Sequence, residues 1–277
     1  MKKWIRLAAL GFLLILILCI LSTPLKVTQY IVESASLPAA FDSFTIAQIS
    51  DLHNDSFGKN NKRLLNKLKK STPDIIVITG DIADSSGTEN AIAFVEQAVQ
   101  IAPTYYVTGN HESWMENYKE LELAIRDKGA TVLRNETVFL FRESQVIALT
   151  GIDDPQFFKT SIEPGQATDM ESALIYLSDN TVPYQILLSH RPEKFDKYCE
   201  NGYDLVFSGH AHGGQFRFPF IGGLYAPNQG LFPEYDAGTF TQNDTTMVVS
   251  RGLGNSVPIP RIGNRPEIVI TQLNCEK

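Results

Sequence analysis

Asp74-Ile75-Ile76-Val77-Ile78-Thr79-Gly80-Asp81 is the stretch that decides the fold. Four apolar residues in a row, all of them β-branched, read as a strand buried on both faces, which is how strands of a parallel sheet read. Gly80 then breaks the strand and Asp81 places a carboxylate at its carboxyl end. The same design recurs on either side. Phe44 to Ser50 is a strand running into Asp51-Leu52-His53, and Thr104 to Thr108 is a strand running into Gly109-Asn110-His111-Glu112. Leucines at 64, 65 and 68 give the 60–70 segment a helical spacing with a basic outer face. Further helices are expected over 88–101 and 115–128, the last stopped by Gly129. Three strand–helix units in succession predict a largely parallel sheet.

The pattern then changes. Short strands at 131–133, 137–141 and 146–150 follow in hairpin order, and a helix is expected near 169–178. Tyr184 to Ser189 is a strand ending in His190-Arg191-Pro192, with Pro192 placed to begin a helix. Asp204 to Phe207 is a strand that runs into Ser208-Gly209-His210-Ala211-His212-Gly213-Gly214. Residues 222–238 are rich in Gly, Pro and aromatics and read as a surface loop. Strands at 245–250 and 267–273 close the chain, and a first strand is expected at 26–32.

These strand ends deliver Asp51, His53, Asp81, Asn110, His111, His190, His210 and His212, and the set contains all five histidines of the chain. Open α/β sheets bind ligands at the carboxyl ends of their strands. His-x-His alone also fits a glycine-rich turn with two exposed imidazoles; five histidines, all of them at strand ends, do not. Carboxylate, amide oxygen and imidazole suit manganese, iron, zinc or magnesium, and no thiolate is offered. Seven ligands are too many for one ion, but two ions sharing a carboxylate would use them. Two metals about 3.5–4 Å apart polarise a phosphoryl oxygen and activate a water for in-line displacement.

The order Asp-x-His, Gly-Asp, Gly-Asn-His-Glu, His, Gly-His-x-His resembles the calcineurin-like metallophosphoesterase superfamily, and it spans Ser50 to His212. Gly213-Gly214-Gln215, Pro227-Asn228-Gln229-Gly230 and Ser250-Arg251-Gly252-Leu253-Gly254-Asn255-Ser256 resemble a membrane-anchored bacterial branch. Some members of that branch are similar to hydrolases that split UDP-diacylglucosamine. The resemblance implies an α/β fold, a four-layer α/β/β/α sandwich of two mixed sheets flanked by helices. By motif position it implies Asp51, His53, Asp81 and His212 at one metal. Asp81, Asn110, His190 and His210 would hold the other, with Asp81 bridging and manganese the favoured ion. His111 would then protonate the leaving oxygen or stabilise the transition state, oriented by Glu112. Asn54 and Arg191 are near enough in sequence to touch substrate.

The chain has 277 residues, 43% of them hydrophobic, enough for one large core. A formal charge of −7 without a basic patch argues against nucleic acid as a partner. Of the three cysteines, Cys199 and Cys275 could pair, but no disulfide framework or zinc-finger spacing exists. Lys2, Lys3 and Arg6 precede the uncharged run Leu7 to Leu21. A basic flank before an apolar run reads as a signal sequence or a single-pass membrane anchor. An uncleaved anchor over 1–25, with the domain at 26–277 outside the cytoplasm, is the expected arrangement, and the lipid membrane the expected partner. The function expected is hydrolysis of a phosphodiester or pyrophosphate, in a lipid-linked or nucleotide-sugar substrate. The alternatives are a secreted nucleotidase or nuclease with the same site, and a non-catalytic scaffold on the same fold.

Overall fold

The computed structural model describes residues 24–160, 167–178 and 181–276. One sheet contains β1 (Lys26–Ser34), β2 (Phe44–Ile49), β3 (Ile75–Thr79), β4 (Thr104–Val107), β5 (Thr131–Val132) and β16 (Glu267–Cys275), in the order β1-β16-β2-β3-β4-β5. The other contains β6 (Glu136–Arg142), β7 (Gln145–Gly151), β8 (Gln185–Leu188), β9 (Leu205–Ser208), β14 (Gly238–Gln242) and β15 (Thr245–Val249), in the order β14-β15-β9-β8-β7-β6. β2 to β5 are parallel, as are β7, β8, β9 and β15; β16 runs antiparallel to β2. Both sheets are mixed, as expected.

Side-chain alternation along the strands divides the core into three apolar layers. Ala47, Ile49, Ile76 and Ile78 face outward onto helices Lys62–Lys70, Glu89–Ala98 and Tyr118–Asp127, against Leu64, Leu68, Phe94 and Leu121. Ile46, Val77 and Val107 face inward and meet Leu149, Ile186, Leu188 and Phe207 of the second sheet. Leu187, Val206 and Met247 turn to the far side, against Leu174, Phe195 and Tyr198 of helices Met170–Leu177 and Phe195–Glu200. This is the four-layer sandwich. Each fully buried leucine or isoleucine contributes about 1.5–3 kcal/mol relative to exposure. In the middle layer Gln48 is a buried polar side chain. Its amide donates to Thr79 Oγ1 at 2.9 Å and to Ser208 O at 2.8 Å, tying the sheets together beneath the strand ends that carry the candidate ligands.

Four expectations change. β5 is not in hairpin order with β6 and β7 but pairs in parallel with β4 in the first sheet. Residues 222–238 are not an open loop, because β10 (Arg217–Phe218) pairs with β11 (Gly222–Gly223) and β12 (Tyr225–Ala226) with β13 (Gly230–Leu231). The 115–128 helix is shorter, Tyr118–Asp127, and a separate turn of helix covers Asn110–Ser113. Cys199 and Cys275 are free thiols. The anchor expected over 1–25 falls almost wholly outside the described residues; among those described, no helix is long and apolar enough to cross a membrane.

Candidate metal centre

The parallel strands of both sheets point the same way, so β2, β3, β4, β8 and β9 discharge their loops at one end of the sandwich. There Asp51, His53, Asp81 and His212 offer ligand atoms within 4.8 Å of one another, and Asp81, His190 and His210 form a second such group. The two groups share Asp81. All six residues are buried. His212 Nε2 lies 3.3 Å from Asp51 Oδ1 and 3.2 Å from His53 Nε2. Asp81 Oδ2 lies 3.1 Å from His190 Nε2 and 3.9 Å from His53 Nε2.

The backbone is bent to achieve this. Asp51, His53, Asp81, His210 and His212 all have φ between 47° and 65°. Non-glycine residues seldom adopt that left-handed region, and such strain concentrates at functional sites. The motif glycines are there for close approach. A Cβ on Gly109 would sit 2.2 Å from Asp81 Oδ1, and one on Gly209 would sit 2.0 Å from Ser50 Oγ and 2.6 Å from Asp51 Oδ2.

Donor chemistry is the test of whether a metal fits. Asp51 Oδ2 and Asn110 Oδ1 are buried polar atoms without a hydrogen-bond partner, and His190 Nε2 has only the Asp81 carboxylate beside it. Two orphaned buried acceptors, Asp51 Oδ2 and Asn110 Oδ1, would cost several kcal/mol if nothing satisfied them. Divalent cations satisfy them, so the residues fit. Burial, with His190 and Arg191 adding to it, keeps His210 well below the usual imidazole range; burial, with His53 and Arg261 adding to it, does the same for His212. Both are then neutral, the form that ligates. Burial pushes His190 down, but Asp81 and Asp51 outweigh it and lift it to about 10. Burial also works against Asp81, yet His190 and His53 hold it well below the usual carboxylate range. A cation taking the place of the His190 proton binds more tightly as pH rises.

Outer contacts orient these groups, and most of them were not legible in the sequence. His53 Nδ1 lies 3.3 Å from Asp84 Oδ2. Burial pushes Asp84 up, but His53 and Ser86 bring it down to about 2, so it stays ionised. A carboxylate behind a ligand histidine fixes its tautomer and raises its basicity. Asp84→Asn is therefore expected to weaken cation affinity about 10–100-fold, read by competition with a chromogenic chelator. Arg261 Nη2 sits 3.1 Å from His212 Nδ1. Asn228 Oδ1 lies 3.0 Å from His210 Nε2 and accepts from Arg191 Nη1 at 2.7 Å.

The two expected substrate contacts are placed otherwise. Arg191 is buried, held bidentately by Asp154 and directed at His210 Nε2 at 2.8 Å, so it braces a candidate ligand. Asn54 Oδ1 accepts from the amides of Asn90 at 2.8 Å and Ala91 at 3.2 Å, capping helix Glu89–Ala98 from outside. Asn54→Ala is expected to cost about 1 kcal/mol of stability, as loss of a helix cap does, with KM unchanged. A denaturant midpoint and one kinetic series check both. Glu112 does not touch the His111 ring. Its carboxylate accepts from the backbone amides of Gly109 (2.7 Å), Asp81 (2.9 Å) and Ala83 (3.2 Å), bracing the Asp81 loop. His111 itself stands at the rim, its side chain 21% exposed and Nε2 4.0 Å from Asp81 Oδ2. Burial moves it below the ordinary imidazole value, with Asp81 opposing.

The calcineurin-like phosphoesterase family model matches residues 44–214. The chain is 30% identical over 257 residues to the uncharacterized metallophosphoesterase YkuE of Bacillus subtilis, covering 90% of this chain and 85% of YkuE. It is 31% identical over 269 residues to the transmembrane protein with metallophosphoesterase domain of Bos taurus, covering 90% of this chain and 57% of that protein. The NAD nucleotidase of Haemophilus influenzae superposes with a TM-score of 0.51 at 17% identity, over 76% of this chain and 45% of that one, a likeness of fold. The chain thus spans about half the length of those last two proteins.

Proposed function

Because the chain belongs to the calcineurin-like phosphoesterase family and is a metal-dependent phosphoester hydrolase, we propose that it cleaves phosphodiester or pyrophosphate bonds at a dinuclear centre bridged by Asp81, in a membrane-anchored setting. The observation that carries this is the buried cluster in which Asp51 Oδ2 and Asn110 Oδ1 lack a hydrogen-bond partner and Asp81 is shared between two groups of candidate ligands. Asp51, His53, Asp81 and His212 would hold one ion, and Asp81, Asn110, His190 and His210 the other. When bound, such a pair supplies Lewis acidity at the phosphoryl oxygen and lowers the pKa of an attacking water.

The chain's own residues do the rest. Asp81 is kept ionised by His190 and His53 and is anchored at its other oxygen by the His111 amide at 2.8 Å. Asp84 and Arg261 hold the His53 and His212 rings in place, so no reorganisation is needed as charge develops. His111 is solvent-accessible, flanked by the Trp114 ring at 4.7 Å, and is placed to donate from Nε2 to the leaving oxygen. An apolar run behind a basic flank at the amino terminus supports a lipid-linked or nucleotide-sugar substrate at an envelope surface.

The test is a panel of a chromogenic phosphodiester, a phosphomonoester and a nucleotide-sugar pyrophosphate, with manganese, iron, zinc and magnesium in turn. Diester or pyrophosphate turnover that chelation abolishes is expected, with manganese the most effective ion. Turnover that survives both chelation and His210→Ala overturns the proposal.

A further inference from the structure

A group of exposed apolar side chains follows the histidine loop. Phe220 is 109% exposed, Leu231 67%, Ile221 65% and Phe232 60%, all on the β10–β13 ribbons. Ile259, 44% exposed, stands on the next loop, whose backbone accepts from Gln215 Nε2 at 2.6 Å. Trp114, 62% exposed, stands against the His111 ring. The ribbons grow directly out of the histidine loop: the Leu224 amide donates to Gly214 O at 3.2 Å, two residues beyond His212. Single exposed apolar residues need no explanation, but a group of bulky ones at one place marks an interaction surface.

The topology says what covers it. β16 is antiparallel to β2, so its amino end lies at the catalytic end of the sandwich, where the Glu267 amide donates to Gly252 O at 3.2 Å. β1 is parallel to β16, and the Lys26 amide donates to Pro266 O at 2.9 Å. The chain therefore enters the domain at the same end as the metal centre and the apolar rim. Lys26 comes five positions after Leu21, the end of the apolar run, a reach of at most about 18 Å when fully extended. If the run spans a bilayer, the catalytic end is held within that distance of its surface. Lys26 and Arg265, both exposed, lie at the same end and suit phosphate headgroups. The full chain carries a formal charge of −7, so charge as a whole does not draw it to an anionic bilayer and apolar insertion must supply the contact.

We infer that the β10–β13 ribbons and the Ile259 loop form a docking face that seats on the phospholipid bilayer, so that the metal centre opens at the lipid–water interface. This rests on the anchored-hydrolase reading above and adds the orientation of the site. Substrates with the scissile phosphate at headgroup depth, phospholipid or lipid-linked pyrophosphate, reach the centre without leaving the membrane.

The experiment uses the full chain with its three cysteines changed to serine, reconstituted in nanodiscs of phosphatidylethanolamine and phosphatidylglycerol. A nitrobenzoxadiazole label goes on Phe220→Cys. In a second sample it goes on Phe141→Cys, which is equally apolar and 77% exposed but lies near the β6–β7 hairpin, at the opposite end. Interfacial apolar faces sink about 5–10 Å into the headgroup and acyl boundary. Lipids carrying a shallow doxyl quencher should therefore reduce emission about twofold or more at 220 and leave 141 unchanged. Equal quenching at the two positions, or none at 220, overturns the inference. So does a blue shift at 220 without lipid quenching, which would mean a protein covers the face. Hydrolysis of a soluble phosphodiester is measured on the same samples. Turnover with an unquenched 220 label removes the docking face and leaves the hydrolase; quenching without turnover under any metal does the reverse.

Discussion

Asp81→Asn should reduce turnover by about 10³-fold or more and lower bound cation from two equivalents to one or none. The substitution keeps the side chain's size and removes its charge. Asp81 Oδ2 is the point on which His190 (3.1 Å), His53 (3.9 Å) and His111 (4.0 Å) converge, and the two candidate ligand groups have only this residue in common. Losing an outer-shell partner costs about 10–100-fold; losing the shared carboxylate must exceed that, and 10³-fold corresponds to about 4 kcal/mol of transition-state stabilisation. Metal content by mass spectrometry and kcat at saturating manganese check the two halves separately. An unchanged stoichiometry with kcat within tenfold would show that Asp81 does not bridge.

His111→Ala should behave differently. Removing a general acid costs about 10²–10⁴ in rate, but His111 stands at the rim and belongs to neither four-residue ligand set, so both cations should remain. The deficit should shrink for a nitrophenyl ester, whose leaving group needs little protonation, and be largest for an alkyl ester. A deficit independent of the leaving group would assign His111 to structure: its ring also packs edge-on against His53, centroids 4.6 Å apart.

How far the sequence foresaw these residues follows from the range of the interactions. The strand ends were readable because β3 is buried along its whole length and the chemistry sits just past it. Alternation in β2, with Ile46 facing the other sheet and Ala47 and Ile49 facing the helices, was likewise a local signal. The β10–β13 ribbons were hidden because each strand has two residues, too few for a period to appear. The outer shell was hidden for another reason. Arg261 meets His212 across 49 residues, and Asn228 meets His210 across 18, so nothing local links them. Asp84 had a faint signal, three residues after Asp81 on the same loop. The resemblance implied that Glu112 orients His111, whereas the turn of helix at Asn110–Ser113 swings its carboxylate onto amides of the Asp81 loop. Asn54 was drawn in by adjacency; its neighbour in sequence is a candidate ligand, but its partner in space is a helix end.

The central claim is a pair of cations sharing Asp81, and anomalous diffraction from crystals soaked in manganese tests it most directly. Two peaks about 3.5–4 Å apart, one beside His53 and His212 and the other beside His190 and His210, with Asp81 between them, are predicted. A single peak, or peaks that leave the Asp81 carboxylate outside both coordination spheres, would contradict it.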